Sequence, residues 1–390
     1  MLLRRAVIVL VSTVVGAVVF GGCKQKTAAP SDEILVGEFA SLTGTTSTFG
    51  ISTHRGVQLA IDEVNAAGGV KGKRIRLITE DDASKPDVAR TVVTKLVTQD
   101  RVVAVLGEVA STRSLAAAPV CQANKIPMIS PSSTNVEVTR KGDYIFRVCF
   151  TDDFQGAVQA NFAWDQGLRR AAIFRDIKND YSVALADSFA ATFKKLGGEI
   201  VGEQSYQEGD ADFKAQLNSL KALKPDVLLL PGYYSEVGTI ARQAREIGIK
   251  APLLGGDGWD SPTLVAGAGG PGGALEGCFF SNHYFSTELD APNMKAFINS
   301  FSKRYGTNPD ALAALGYDAA KLLVAAMQRS KSLDGPSLRE AIAQTREFPG
   351  VTGKITIDAQ RNARKEALIL QIVGERFTVK RAYRPEQIGL

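Results

Sequence analysis

From residue 34 onward, short apolar runs that read as strands alternate with segments of helical period, and that order leaves few architectures open. Ile34-Leu-Val-Gly-Glu-Phe39 is strand-like; Val57, Ala60, Ile61 and Val64 then recur at helical spacing before the stop Ala67-Gly68-Gly69. The strand-like 74–78, the helical 87–99, the strand-like 102–106, the helical 111–124 and the strand-like 126–129 continue the pattern. Alternation at these lengths predicts an α/β fold on a doubly wound parallel sheet. Ligands of such sheets collect beyond the carboxyl ends of the strands.

A second series starts near Tyr144-Ile-Phe-Arg-Val148. Strands are expected at 171–174, 199–201, 225–230 and 252–254, with helices over 182–196, 213–223 and 236–247 between them. The chain is longer than one hydrophobic core usually serves, so two Rossmann-like lobes side by side are predicted. The tail adds helices over 293–305 and 312–330 and strands near 354–357 and 367–373, and is expected to complete both sheets. The lobes then become discontinuous: 33–149 with 283–358, and 150–282 with 359–390, joined by a multi-strand hinge. Gly267-Ala-Gly-Gly-Pro-Gly272 matches G-x-G-x-x-G formally, but it follows a helix-like stretch and contains a proline. A dinucleotide fingerprint must follow a strand and open a helix, so this segment reads as a surface loop.

Where the third strand ends, Gly107-Glu-Val-Ala-Ser111 leads into a helix whose first turn carries Ser111, Thr112 and Ser114. Hydroxyls at a helix start serve as N-caps. The same free amides and hydroxyls also suit a carboxylate or phosphate. Both readings stand on these residues alone.

The chain opens with Arg4 and Arg5, an apolar run from Ala6 to Phe20, then Gly21-Gly22-Cys23 and the polar, loop-like residues 24–31. This is a signal-peptide layout over 1–22. Small residues before Cys23 resemble the lipobox of bacterial lipoproteins, with Phe20 in place of the usual Leu; this implies a lipid on Cys23, a linker over 23–32 and an extracytoplasmic, membrane-anchored protein. Without the leader the formal charge falls from +5 to +3, since two arginines and no acid are lost. No block of like charge remains to suggest nucleic-acid binding. Cys121, Cys149 and Cys278 form no disulfide framework; a Cys121–Cys149 bridge and buried free thiols both fit. With only His54 and His283 in the chain, no His-based metal site is expected, and no cofactor or nucleophile motif occurs.

Several motifs, in order, resemble the type I periplasmic solute-binding proteins of ABC importers, in the branch of the leucine/isoleucine/valine-binding proteins. They are Ser41-Leu-Thr-Gly44, the segment Ile61 to Val70, Asp81-Asp82, Ile129-Ser-Pro-Ser-Ser-Thr-Asn135, Phe146 to Gly156 and Gly255-Gly-Asp-Gly-Trp259. The resemblance spans nearly the whole chain beyond the leader. It implies an amino-acid ligand whose carboxylate meets Ser111 and Thr134, with Ser132 and Ser133 lending backbone groups. It also implies Asp257, where relatives have the longer Glu, as partner of the ammonium. Tyr181 and Tyr233 would face the ligand from the second lobe, and Phe49 and Leu312, in place of Trp and Phe in relatives, would line its side-chain pocket. The implied action is hinge closure in the manner of a Venus flytrap, followed by docking of a monomer on a membrane permease, with no catalysis. A ligand-sensing receptor component of the same fold and a carrier of amine-free organic or aromatic acids are the alternatives.

Overall fold

A computed structural model describes residues 33–285 and 291–389. The leader, Cys23 and the linker lie outside the described residues. The first series runs β1 (Glu33–Ala40), α1 (Ser47–Ala66), β2 (Arg74–Asp81), α2 (Pro86–Thr98), β3 (Ala104–Leu106), α3 (Ser111–Ala123), β4 (Met128–Ser130), a one-turn α4 (Glu137–Arg140) and β5 (Ile145–Arg147). Its sheet is parallel throughout in the order β2-β1-β3-β4-β5. The stretch expected to start the second series is therefore the last strand of the first. Ile145 lies opposite Met128 in parallel register, and the three residues of β5 are all buried.

The second series runs α5 (Asp152–Asp165), β6 (Arg170–Asp176), α6 (Asp180–Lys195), β7 (Glu199–Tyr206), α7 (Lys214–Ala222), β8 (Val227–Leu229), α8 (Tyr234–Glu246), β9 (Leu253–Gly255), α9 (Leu264–Gly267) and β10 (Phe279–Asn282). Strands β7-β6-β8-β9-β10 repeat the order of the first sheet. The tail then supplies α10 (Pro292–Tyr305), α11 (Ala311–Arg329), α12 (Gly335–Ala343), β11 (Phe348–Gly350), β12 (Gly353–Ile357), β13 (Ala363–Arg364), β14 (Ala367–Val373) and β15 (Arg376–Tyr383). Only β14 and β15 extend a main sheet, antiparallel beside β10. Contrary to expectation, the strand over 353–357 joins neither: β11-β12-β13 form a small antiparallel sheet of their own. To the first half the tail contributes helices, because α11 has buried positions around its whole circumference and must be covered.

That covering is close. A Cβ on Gly56 of α1 would stand 1.9 Å from the Ala313 carbonyl oxygen, and one on Gly316 of α11 would stand 2.4 Å from that of Thr53. The two backbones touch where neither residue has a side chain. Met294, Phe297 and Phe301 of α10 and Leu338 and Ile342 of α12 join the same core as Val36, Ile61 and Leu106. The chain passes between the halves after β5, after β10 and after β13. Cys121, Cys149 and Cys278 are buried free thiols, so no bridge links Cys121 to Cys149. The glycine-rich 267–272 follows α9 as a turn with Gly269, Gly270 and Gly272 at positive φ. Among the described residues no helix is long and apolar enough to cross a membrane.

Candidate functional site: a cavity between the two sheets

In a sheet of order 2-1-3-4-5, the loops after strands 1 and 3 part at the carboxyl edge and leave a crevice. Both halves present this edge to one cavity. Phe49, Val109, Ser111, Ser132, Thr134 and Leu312 line it from the first half; Tyr181, Tyr233, Asp257 and Gly258 line it from the second. Eight of the nine residues singled out in the sequence are thus brought together. Ser133 is not: its hydroxyl reaches the Glu108 and Val109 carbonyls and Ser114 Oγ, its amide donates to Ser130 Oγ at 2.8 Å, and its carbonyl accepts from Arg147. Val109 and Gly258 were not foreseen, having no side-chain chemistry to mark them.

The start of α3 decides between the two readings of its hydroxyls. Its N-cap is Ala110, in extended conformation, and no side chain caps the helix. Ser111 and Ser114 are one and four residues inside it, and Ser114 Oγ points back to the Glu108 carbonyl at 3.3 Å. The first-turn amides, which carry the positive end of the helix dipole, are left without a side-chain oxygen. Ser111 Oγ accepts the Asn135 amide at 3.2 Å, so its one proton is free to be donated elsewhere. Ser132 Oγ is buried and has no hydrogen-bond partner among the described residues. A buried orphan hydroxyl on a cavity wall calls for a partner inside it.

Behind these groups lies a charged support. Ser41 Oγ stands 2.7 Å from Asp82 Oδ1 and 2.8 Å from Glu108 Oε1, and Arg113 Nε stands 3.2 Å from Glu108. One hydroxyl proton cannot serve two carboxylates, and burial together with the charge of Glu108 pushes Asp82 up to about 7. Glu108 also takes the Ala110 amide, which fixes the turn into α3.

On the opposite wall, Tyr181 is set by the cap of α6, where Asn179 Oδ1 accepts its amide at 3.1 Å. Its hydroxyl accepts the Gly258 amide at 3.2 Å, and burial holds the phenol well above its ordinary range, so it keeps a proton to donate. Tyr181 and Tyr233 stack at 5.4 Å, and Phe49 meets Tyr233 edge-on at 5.3 Å. With Val109, Leu312 and Leu185 these rings form one apolar cluster. Asp257, on a single 3-10 turn after β9, is the only charged lining residue among the described residues; both its oxygens are held, Oδ1 by Gln155 Nε2 at 3.0 Å and Oδ2 by His283 Nε2 at 2.9 Å.

The halves also meet directly around the cavity. Asn135 Nδ2 donates to the Asp180 carbonyl at 2.8 Å, the Asp180 amide donates to Thr112 Oγ1 at 3.1 Å, and Tyr234 Oη donates to the Thr45 carbonyl at 3.1 Å. The Ala311 amide, at the start of α11, donates to Asp260 Oδ2 at 2.9 Å. These contacts hold the two halves against each other beside the cavity.

The sequence model of the family described as periplasmic binding protein matches residues 33–375. A Leu/Ile/Val-binding protein of Rhizobium johnstonii is 30% identical over 328 residues, which is 83% of this chain and 87% of that one. The crystal structure of a leucine-binding protein LivK from Thermotoga maritima is 36% identical, with a TM-score of 0.86 over 91% of this chain and 99% of that one. The substrate-binding protein LivJ of a branched-chain amino acid transporter from Streptococcus pneumoniae, solved in complex with isoleucine, is 33% identical, with a TM-score of 0.84 over 90% and 99%. The chain therefore belongs to the type I periplasmic binding proteins, in the family of the Leu/Ile/Val-binding proteins.

Proposed function

We propose that the protein is the extracytoplasmic substrate-binding component of an ABC importer and captures an α-amino acid with a branched aliphatic side chain. The observation that carries this reading is the chemistry of one wall against the other. Uncapped amides and the free Ser111 proton form a donor end, with Thr134 and Ser132 beside them. Asp257 is an acceptor end, and among the described residues no Lys or Arg lines the cavity. A free carboxylate finds donors there, and an ammonium finds a charge-assisted acceptor. Phe49, Leu312, Val109 and the tyrosine rings leave an apolar space for the side chain. Such walls separate ligands differing by one methylene by only about 1–3 kcal/mol, so more than one aliphatic amino acid is accepted.

In this reading the lobes, 33–149 with 283–358 and 150–282 with 359–390, close by a hinge over the ligand, which makes its contacts with both only in the closed form. A single copy then docks on a membrane permease, tethered through a lipid on Cys23 after removal of residues 1–22. No bond is made or broken. Calorimetric titration of ligand-free protein with leucine, isoleucine and valine, and with amine-free acids including benzoate, tests the reading. Tight binding of at least one of the three amino acids is expected. Binding of the amine-free acids alone would make the protein an organic-acid carrier on the same fold.

A further inference from the structure

Asp257 has a short side chain, and the groups around it show how it is aimed. Gln155, on α5, grips it twice: Oε1 accepts the Asp257 amide at 3.0 Å and Nε2 donates to Oδ1 at 3.0 Å. The amide cannot be turned over, because that would set Nε2 against the Asp257 N–H, which can only donate, and Oε1 against a carboxylate oxygen, which can only accept; Ser281 Oγ also meets Oε1, at 2.8 Å. His283, just after β10, supplies the other hold. Its ring is buried, stacks on Phe150 at 3.6 Å and places Nε2 2.9 Å from Asp257 Oδ2. Burial pushes the imidazole below the ordinary histidine range, so it is neutral and has one N–H to place. Nδ1 has no hydrogen-bond partner among the described residues, whereas Nε2 faces a carboxylate oxygen. The proton therefore sits on Nε2, and the ring donates.

A carboxylate has about four lone-pair sites. Here one on each oxygen is taken from behind by a neutral donor. Neutral donors fix the group without cancelling its charge, which a lysine or arginine in the same places would do.

The geometry points to Gln155 and His283 as positioning residues that set the cavity's selectivity for an amine: they hold Asp257 so that its remaining lone pairs and its full charge face the ligand's ammonium. This rests on the amino-acid reading above and deepens it. Neither residue touches the cavity itself. Loss of either should therefore penalise a ligand with an ammonium and leave its amine-free isostere little changed, whereas a general loss of packing would weaken both alike.

The test compares leucine with 4-methyl-2-oxopentanoate, its 2-oxo isostere, by calorimetry on the whole chain freed of ligand. The variants are His283→Leu, Gln155→Leu and His283→Gln, the last keeping an N–H donor. Expected is a fall of tenfold or more in the ratio of leucine to oxo-acid affinity for the two leucine variants, with most of it restored in His283→Gln. Nitrogen NMR of the wild-type ring should show Nε2 protonated and Nδ1 bare; a proton on Nδ1 would overturn the assignment even if His283→Leu did not fold. Equal loss of both ligands, or no change in the ratio, would also overturn it while leaving the amino-acid reading intact. A wild-type protein that takes the oxo acid and none of the three amino acids would overturn that parent reading, and this assignment with it.

Discussion

At the scale of single residues, the cavity works by what its polar groups have left over. Ser111 Oγ spends its acceptor capacity on the Asn135 amide and keeps its proton. Removing that donor in Ser111→Ala should cost a charged hydrogen bond, about 1.5–3 kcal/mol, which is a loss of roughly 10- to 100-fold in amino-acid affinity. Titration of the variant with leucine checks this, and a change under threefold would remove Ser111 from the ligand's contacts. Most of the lining residues could be named from the sequence through the family resemblance; Ser111, Ser132, Thr134 and Asp257 lie in short motifs at strand ends, whereas Phe49, Tyr181 and Leu312 sit on helices. Gln155 and His283 could not be so named. Gln155 is separated from Asp257 by 102 positions, and no local pattern marks a side chain whose partner is that remote.

At the scale of elements, the start of α3 and the seam between α1 and α11 carry the consequences. The N-cap of α3 is an alanine, a poor cap, which leaves the amides available at a cost in helix stability. Ala110→Ser should return about 0.5–2 kcal/mol of stability and weaken ligand binding, because the new hydroxyl competes for the same amides. Denaturant melts and titration of one preparation read both effects, and a rise in both stability and affinity would contradict the account. At the seam, Gly56→Ala forces a methyl against the Ala313 carbonyl, 1.9 Å from where it would lie. Overpacking of this kind costs about 1–3 kcal/mol or more, so the urea midpoint should fall. The helical period of α1 was plain in the sequence. That a glycine within it marks a contact with a helix some 260 residues later was not, since the partner is chosen by the tertiary fold.

At the scale of the whole molecule, the fold buries acids close to one another, in one case across the two halves. Asp260 comes from the second half and accepts the Ala311 amide beside Asp310 of the first; burial, then the charge of Asp310, pushes it up to about 7. Asp82 is raised to about 7 by burial and Glu108. For an acid raised above its unfolded value near 3.8, the protonated form is favoured in the folded state. Its contribution to stability is then complete below that value and is lost as pH rises toward 7. His283 acts with the opposite sign, since its folded value is lowered and folding favours the neutral ring. Replacing Asp260 isolates the first effect: wild type should melt higher at pH 5 than at pH 8, and Asp260→Asn should narrow that difference. Melting curves at the two pH values decide it, and an unchanged difference in the variant would exclude Asp260 as the source.

The alternation of strands and helices determined the α/β class, because the period of a buried face is a local property that survives in one dimension. Motifs at strand ends likewise carried part of the cavity wall, since each needs only a few neighbouring residues. The tertiary structure alone decided which strands share a sheet: β5 closes the first, β14 and β15 extend the second, and β11-β12-β13 stand apart. Strand pairing is settled by backbone hydrogen bonds between distant segments, and side-chain patterns do not encode their partners. It alone showed that Ser111 is no cap, that Ser133 turns away from the cavity and that Asp257 is held from behind. Each of these depends on where an unpaired donor or acceptor finds its complement, and that is fixed only when remote parts of the chain are brought within 3 Å or so of one another.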